Sequence, residues 1–426
     1  MSDALVRASA VSFLLLAAAL PWSVAPMSIT LVVCAALTLL VWGVTRSRWM
    51  RTPVDAPALV WILALMVAST FALDPGQSWP RVAKGFLLIL VPVAAYHGQD
   101  ERLARRAIAV LLVSAVAAAL FALGRFVLMG PHFPNRVKGA VGHPLTYGGQ
   151  VMLFASLATA IAIRCRGRWR AGALCALAIF LPALAGTYTR SAWIGYVAAL
   201  AVIVAFTRAR WLAGVAGGVA AVAMVLPGVY RERALSILDL QNPWNRERLH
   251  MWDAGLRMLR DHPWTGVGLQ DLHSIYETYK PPGAVEPAGH LHSVYVQVGA
   301  TMGILGLCAL VFLVVGILRA SSRAFLERRA AAKAGAPFND FAAAISLGVS
   351  AAFAGFLVSG LMEWNLGDEE LLDLLCVLVG IAFGAASWAR HRAATSEGEA
   401  GLHEIGRIPD PRYEVAGPLG VTSKLR

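Results

Sequence analysis

"GHLHSVYVQVGATMGILG", Gly289 to Gly306, sets two histidines and a glutamine at the mouth of a run that otherwise reads as a membrane helix. A helix needs about 20 apolar residues to cross roughly 30 Å of hydrocarbon, and it satisfies its backbone amides internally. The same kind of run recurs from end to end. Of 426 residues, 58% are hydrophobic and 15% are charged, and the mean hydropathy of +0.63 excludes an ordinary soluble domain. The fold class is an all-α polytopic membrane protein.

About twelve windows meet the length and polarity requirement, near 6–22, 27–45, 56–72, 81–97, 104–129, 145–164, 171–186, 190–207, 211–229, 293–318, 340–362 and 371–390. The formal charge of +12 falls in short clusters between these windows and not on one polar face, which argues against nucleic acid as a partner. It reads as topology. Arg46, Arg48 and Arg51, then Arg102, Arg105 and Arg106, then Arg164 to Arg170, then Arg208 and Arg210, then Arg319 to Lys333 occupy alternate loops, and loops rich in Lys and Arg stay cytoplasmic. Both termini are expected inside. At the N-terminus Arg7, the run Ala8 to Leu20 and the small residues about Ser23 imitate a secretory signal. Pro26, directly after the would-be cleavage point, favours an uncleaved first span.

The expected organisation is nine spans over 1–229, a periplasmic loop over 230–292, three spans over 293–390 and a disordered cytoplasmic tail over 391–426. Within the loop, Trp252, Leu256 and Leu259 at i, i+4 and i+7 predict a short amphipathic helix over Asn245 to Asp261. "DHPWTGVG" then reads as a break. Five cysteines, Cys34, Cys165, Cys175, Cys308 and Cys376, show neither metal-ligand spacing nor a disulfide framework and read as packing residues.

Against this apolar background a few polar residues stand out. His292 and Ser293 open a helix at its N-terminus, where the dipole opposes an added proton, and a neutral imidazole is what a general base requires. The alternative is an anchor for the helix end. Gly299, Gly303 and Gly306 follow on one face, which predicts a close approach to another helix. Arg190, in "GTYTRSAWIG", breaks the positive-inside pattern at an outer helix end, where it suits a phosphate, with snorkelling to headgroups as the alternative. In "NPWNRERLHMW", Arg246 and Arg248 are further candidates, and Trp252 one turn from Arg248 allows a ring contact or an inward guanidinium. Arg136, Lys138 and His143 form an outer basic group. Glu363, Asp368, Glu369 and Glu370 form an acidic one, read as a solvated loop with acceptor positioning as the alternative. No Walker loop, dinucleotide fingerprint, nucleophile elbow or metal helix is present, and the scattered carboxylates Glu232, Asp239 and Asp261 give no support to a metal site.

His292-Ser293, nine intervening residues and Gly303-x-x-Gly306 resemble the "H-[NSQ]-x9-G-x-x-G" pattern of the O-antigen ligases, within the ligase and polymerase superfamily of bacterial surface polysaccharides. "R-x3-[LI]" at Arg190 to Ile194, and "R-x3-W" followed by "hP-x-x-G-x-G" from Arg248 to Gly268, strengthen the resemblance. It implies a membrane-embedded, inverting glycosyltransferase of the type C class in the inner membrane, needing neither metal nor cofactor. The donor would be a glycan on undecaprenyl diphosphate and the acceptor the lipid A-core oligosaccharide, with membrane lipids around both. On this resemblance His292, Arg190 and Arg248 are catalytic, and Arg136, Lys138, Arg246, His290 and Ser293 bind substrate. The nearest alternatives are an O-antigen polymerase or a protein O-oligosaccharyltransferase using the same donor, and, from another class, a transporter or flippase.

Overall fold

The computed structural model describes residues 2–45, 51–130, 134–208, 228–333 and 340–386, with isolated positions between 212 and 218. The described residues are helical throughout and include no strand. In chain order the helices are α1 (Ser2–Ala19), α2 (Val24–Thr45), α3 (Asp55–Thr70), α4 (Pro75–Gly98), α5 (Glu101–Leu128), α6 (Pro144–Arg164) and α7 (Gly167–Gly186), followed by α8 (Arg190–Arg208) and α9 (Gly228–Leu235). The remainder are α10 (Pro243–Asp261), α11 (His273–Tyr279), α12 (Val294–Lys333), α13 (Asp340–Ser359) and α14 (369–386).

Eight of these, α2, α4 to α8, α12 and α13, are long and apolar enough to cross a membrane, and the chain is a polytopic membrane protein. Eleven of the twelve expected windows fall on described helices. The window 211–229 and the tail 391–426 lie outside the described residues, apart from the isolated positions noted above. The expected loop helix is present as α10. Its start follows from Asn242, whose side chain accepts from the Trp244 amide, and from Pro243 in the first turn.

The centre of the bundle is α6 paired with α13, both mostly buried, with α7 and α8 against them. One side is completed by α1, α2 and α5, and the other by α3 lying along α12. The core is built from small and medium side chains, such as Ala155, Ala158, Ala344, Val349 and Ala352, which let the helices approach closely. Cys34, Cys165 and Cys376 are buried as packing residues, whereas Cys175 and Cys308 are exposed, and none of the five forms a disulfide.

The helix α4 is unusual in its middle. Residues Trp79–Ile89 form an eleven-residue 3-10 stretch, far beyond the three or four residues at which such helices usually stop. With three residues per turn, Arg81 and Lys84 eclipse one another on one edge.

The glycines of the opening motif play a different part from the close-packing face expected of them. Gly303 has φ 64° and ψ −158°, a conformation open to glycine alone, and there the first two turns of α12 break from the rest. The segment after α10 fills the break. The amides of Ile304 and Leu305 donate to the carbonyls of Pro263 and Trp264 at 2.8 and 3.3 Å, and the amides of Val267 and Gly268 donate to those of Ala300 and Thr301 at 2.8 and 3.1 Å. The two glycine motifs thus interlock by backbone hydrogen bonds. A Cβ on Gly303 would stand 2.4 Å from the Trp264 backbone, and one on Gly266 would stand 2.4 Å from that of Thr301.

Gly303→Ala is therefore expected to destabilise the protein by about 1–3 kcal/mol or more, read as a lower Tm in detergent. Gly299→Ala is the control. Its Cβ meets only the flexible ends of Leu259 and Leu307, at 3.3 and 3.5 Å, and should be tolerated. Equal Tm values for the two variants would contradict the interlock.

Candidate active site

Five of the expected residues are drawn to one end of the bundle, joined by a carboxylate that had read as loop. Glu363 lies in the turn between α13 and α14 and is buried, at 5% exposure. Its Oε1 is 2.8 Å from His292 Nδ1 and its Oε2 is 3.4 Å from Arg248 Nη2. Solvation is thus the wrong reading for Glu363. Burial pushes its carboxyl up, but the hydrogen bond from His292 and the charges of His292 and Arg248 outweigh this and hold it below the usual carboxylate range.

An ionised carboxylate only accepts, so His292 Nδ1 carries the hydrogen, and in the neutral ring Nε2 is the nitrogen with the lone pair. The backbone holds the ring in place. His292 takes φ 45°, left-handed for a non-glycine residue. On either side, the Leu291 amide donates to Gln297 Oε1 at 2.8 Å and the Val294 amide to the Gly360 carbonyl at 2.8 Å. Ser293 is buried and accepts weakly from the Val296 amide, so it caps α12 instead of facing substrate. His290 sets its ring edge-on to that of His292, with centroids 4.3 Å apart. Burial, reinforced by His292, pushes His290 down to about 4, which leaves it neutral at physiological pH.

The arginines gather around the turn that opens α8. Arg190 is 3% exposed. Its Nη1 donates to both the carbonyl and the hydroxyl of Ser236 at 3.0 Å, while its buried Nη2 has no partner. Arg136 donates from Nε to the Thr187 carbonyl at 2.7 Å and from Nη2 to the Thr189 hydroxyl at 2.9 Å. Arg233 reaches the Tyr188 carbonyl at 3.3 Å. Arg248 points inward to Glu363 and not onto Trp252, and its buried Nε is also unpartnered. Burial lowers the basicity of Arg136 to about 10, aided by repulsion from Arg233 and Arg248 and opposed by Glu363. Burial and then Arg248 act on Arg233 in the same direction. Four arginines near enough to repel one another, one of them paired with Glu363 and two with idle buried donors, can together meet an anion.

Two expected binding residues stay outside this group. Lys138 and Arg246 are exposed, Arg246 on the face of α10 away from Arg248. Arg233 and Glu363 were not anticipated. Arg233 sits within "YRER", where only the spacing against Arg231 hints that one of the two turns inward. Glu363 stands apart from the acidic run by Trp364 and Leu366, and a lone carboxylate in an apolar stretch just past a span was the signal available. His143 is exposed and lies close enough to feel the charges of Glu363, Arg136 and His292.

His290, His292 and Glu363 bring nitrogen and oxygen ligand atoms within 4.8 Å of one another, the one group among the described residues able to hold a metal ion. Glu363 is already engaged there by both His292 and Arg248.

No curated protein matches the chain. The family model described as O-antigen ligase matches residues 173–311, a stretch that carries Arg190, Arg233, Arg248, His290 and His292. The resemblance read from the histidine motif is thereby supported: residues 173–311 are similar to the O-antigen ligase and polymerase superfamily.

Proposed function

We propose that the protein is an O-antigen ligase, a metal-independent, inverting glycosyltransferase that moves a glycan from undecaprenyl diphosphate to the lipid A-core oligosaccharide. One observation carries the reading: Glu363 engages Nδ1 of His292, so that Nε2 is the basic atom of the neutral ring, and joins that ring to the edge of an arginine group with idle buried donors. A diphosphate is already a good leaving group, so the reaction asks for positive charge on it and a base on the acceptor.

In this mechanism the acceptor hydroxyl gives its proton to Nε2 of His292 as its oxygen bonds to the anomeric carbon. The bond from that carbon to the diphosphate oxygen breaks, and the electron pair leaves with the diphosphate against Arg190 and Arg248, backed by Arg136 and Arg233. Attack in line with the departing group inverts the configuration. Glu363 holds the tautomer of His292 and stabilises the imidazolium, the part played by the carboxylate of a catalytic triad.

The arginine-rich loops orient the chain with both termini in the cytoplasm and the site at the periplasmic face of the inner membrane. In this organisation 1–229 and 293–390 span, 230–292 is periplasmic and 391–426 is the cytoplasmic tail. Arg190 and His292 stand at the openings of α8 and α12, Glu363 in a turn and Arg248 within the loop helix α10, whereas a transporter would gather its ionisable residues at mid-span. The lipid diphosphate bond supplies the driving force, so no nucleotide is required.

The test is transfer in vitro with purified protein, undecaprenyl diphosphate glycan and lipid A-core, without nucleotide and with a chelator present. Core-linked glycan is the expected product. Glycan joined to glycan would make the protein a polymerase, glycan joined to protein an oligosaccharyltransferase, and gradient-driven flux without covalent product a transporter. Activity lost to the chelator and restored by a divalent cation would turn the His290, His292 and Glu363 group into a metal centre.

A further inference from the structure

Glu363 also belongs to a second feature. With His290 it forms part of the wall of a cavity of about 370 Å³ whose lining includes none of the four arginines. The wall changes character with depth along α12. Gly289 and His290 stand at the mouth, Gln297 and Thr301 occupy the first two turns, and Leu313 lies far below. At that level Leu88, Leu313 and Leu372 are shared with a narrow, almost wholly apolar slot beside α13 and α14. A cavity polar at its mouth and apolar at its depth fits an amphiphile with a hydroxyl-rich head and a hydrocarbon chain.

The polar part has a definite chemistry. The 3-10 stretch of α4 aligns Arg81 and Lys84 on the wall, and Trp364, Asp271 and Asp368 join them. Arg81 donates to the Leu269 carbonyl at 2.7 Å from Nη1, and Lys84 pairs with Glu369 at 3.2 Å on the surface. Carboxylates bond sugar hydroxyls, an indole stacks on a sugar ring, and the two cations meet a phosphate or an acidic-sugar carboxylate.

We propose, resting on the ligase reading above, that this cavity seats the anionic sugar head of the acceptor amphiphile and presents its hydroxyl to His292 from the side away from the arginines. The two substrates then approach the Glu363 and His292 pair from opposite directions. The donor diphosphate lies against the arginines, and the acceptor enters past His290, whose ring touches that of the base.

Gly289 gives the test. A Cβ there meets only Asp271 Oδ1, at 3.8 Å, so Gly289→Leu narrows the mouth without crowding the backbone. Lys84→Gln, on a half-exposed side chain, removes one charge from the wall. Initial rates are measured for the parent and both variants with undecaprenyl diphosphate glycan and lipid A-core varied in turn. The apparent KM for lipid A-core should rise by about tenfold or more in Gly289→Leu, the scale of one badly fitted methylene group, and in the same direction for Lys84→Gln, with the donor KM unchanged. Lipid A-core treated with phosphatase separates the two anion sources: the Lys84→Gln effect vanishes if a phosphate is recognised and persists if a sugar carboxylate is. A KM increase confined to the donor would hand the cavity to the donor lipid, and unchanged KM values for both substrates in both variants would remove it from substrate binding. A parent that transfers nothing to lipid A-core would overturn the ligase reading itself, and the acceptor seat with it.

Discussion

Replacing His292 by asparagine is expected to slow glycan transfer by about a hundredfold to ten-thousandfold, the range supplied by a positioned acid or base. Asparagine is the informative substitution because it tolerates the left-handed backbone of this position, φ 45°. It also keeps an N–H for Glu363, so the turn and the carboxylate stay in place while the basic Nε2 is lost. Donor binding should therefore be unchanged, and the deficit should lie in kcat. A companion change, Glu363→Gln, leaves the imidazole in the site but removes the charge that steadies it after protonation. It should lose activity as well, by less than His292→Asn. Parental rates in His292→Asn would end the base assignment. An inactive His290→Ala beside an active His292→Ala would transfer the role to His290.

The second large effect is expected at Arg190. Arg190→Ala should cost about 2.7 to 4 kcal/mol of transition-state stabilisation, roughly a hundredfold to a thousandfold in rate, as for loss of one preorganised charge partner. The Ser236 carbonyl that Arg190 holds also accepts from Asn245 Nδ2 at 2.7 Å, so the segment before α10 keeps an anchor when the arginine is removed. Arg190→Lys preserves the charge without the fork and should fall between the parent and the alanine variant. Arg248→Ala should lose at least as much as Arg190→Ala, because it also strips a buried carboxylate of its cation. Either alanine variant matching the parent at equal amounts of folded protein would take that arginine out of the mechanism.

Local information sufficed where the physics is local. The spans follow from run length, α10 from its period and its cap, and Arg190 stood out as a positive charge on the wrong side of a topology. The readings that failed needed two distant segments at once. Glu363 looks like part of a charged loop until the end of α13 turns it beneath α12, 71 residues away in sequence from its partner His292. The G-x-x-G motif at Gly303 is the same letters as a helix-packing face, and only the arrival of Pro263 to Gly268 makes it a break. Arg233 and Arg231 are two residues apart with opposite fates, half-buried and exposed, because α9 is an eight-residue helix placed by what it lies on.

The interlock at Gly303 also sets an order of assembly. Residues 263–268 leave the ribosome before α12 does, and the amides of Val267 and Gly268 have no carbonyls to bond until Ala300 and Thr301 have entered the bilayer. His292 must wait still longer, for Gly360 and Glu363. During synthesis the chain thus inserts most of its helices with His292 unfixed and Arg248 without its carboxylate partner. On the proposed mechanism, a nascent chain stopped before residue 360 lacks the carbonyl and the carboxylate that hold His292, and activity would arise only once the turn after α13 has been made.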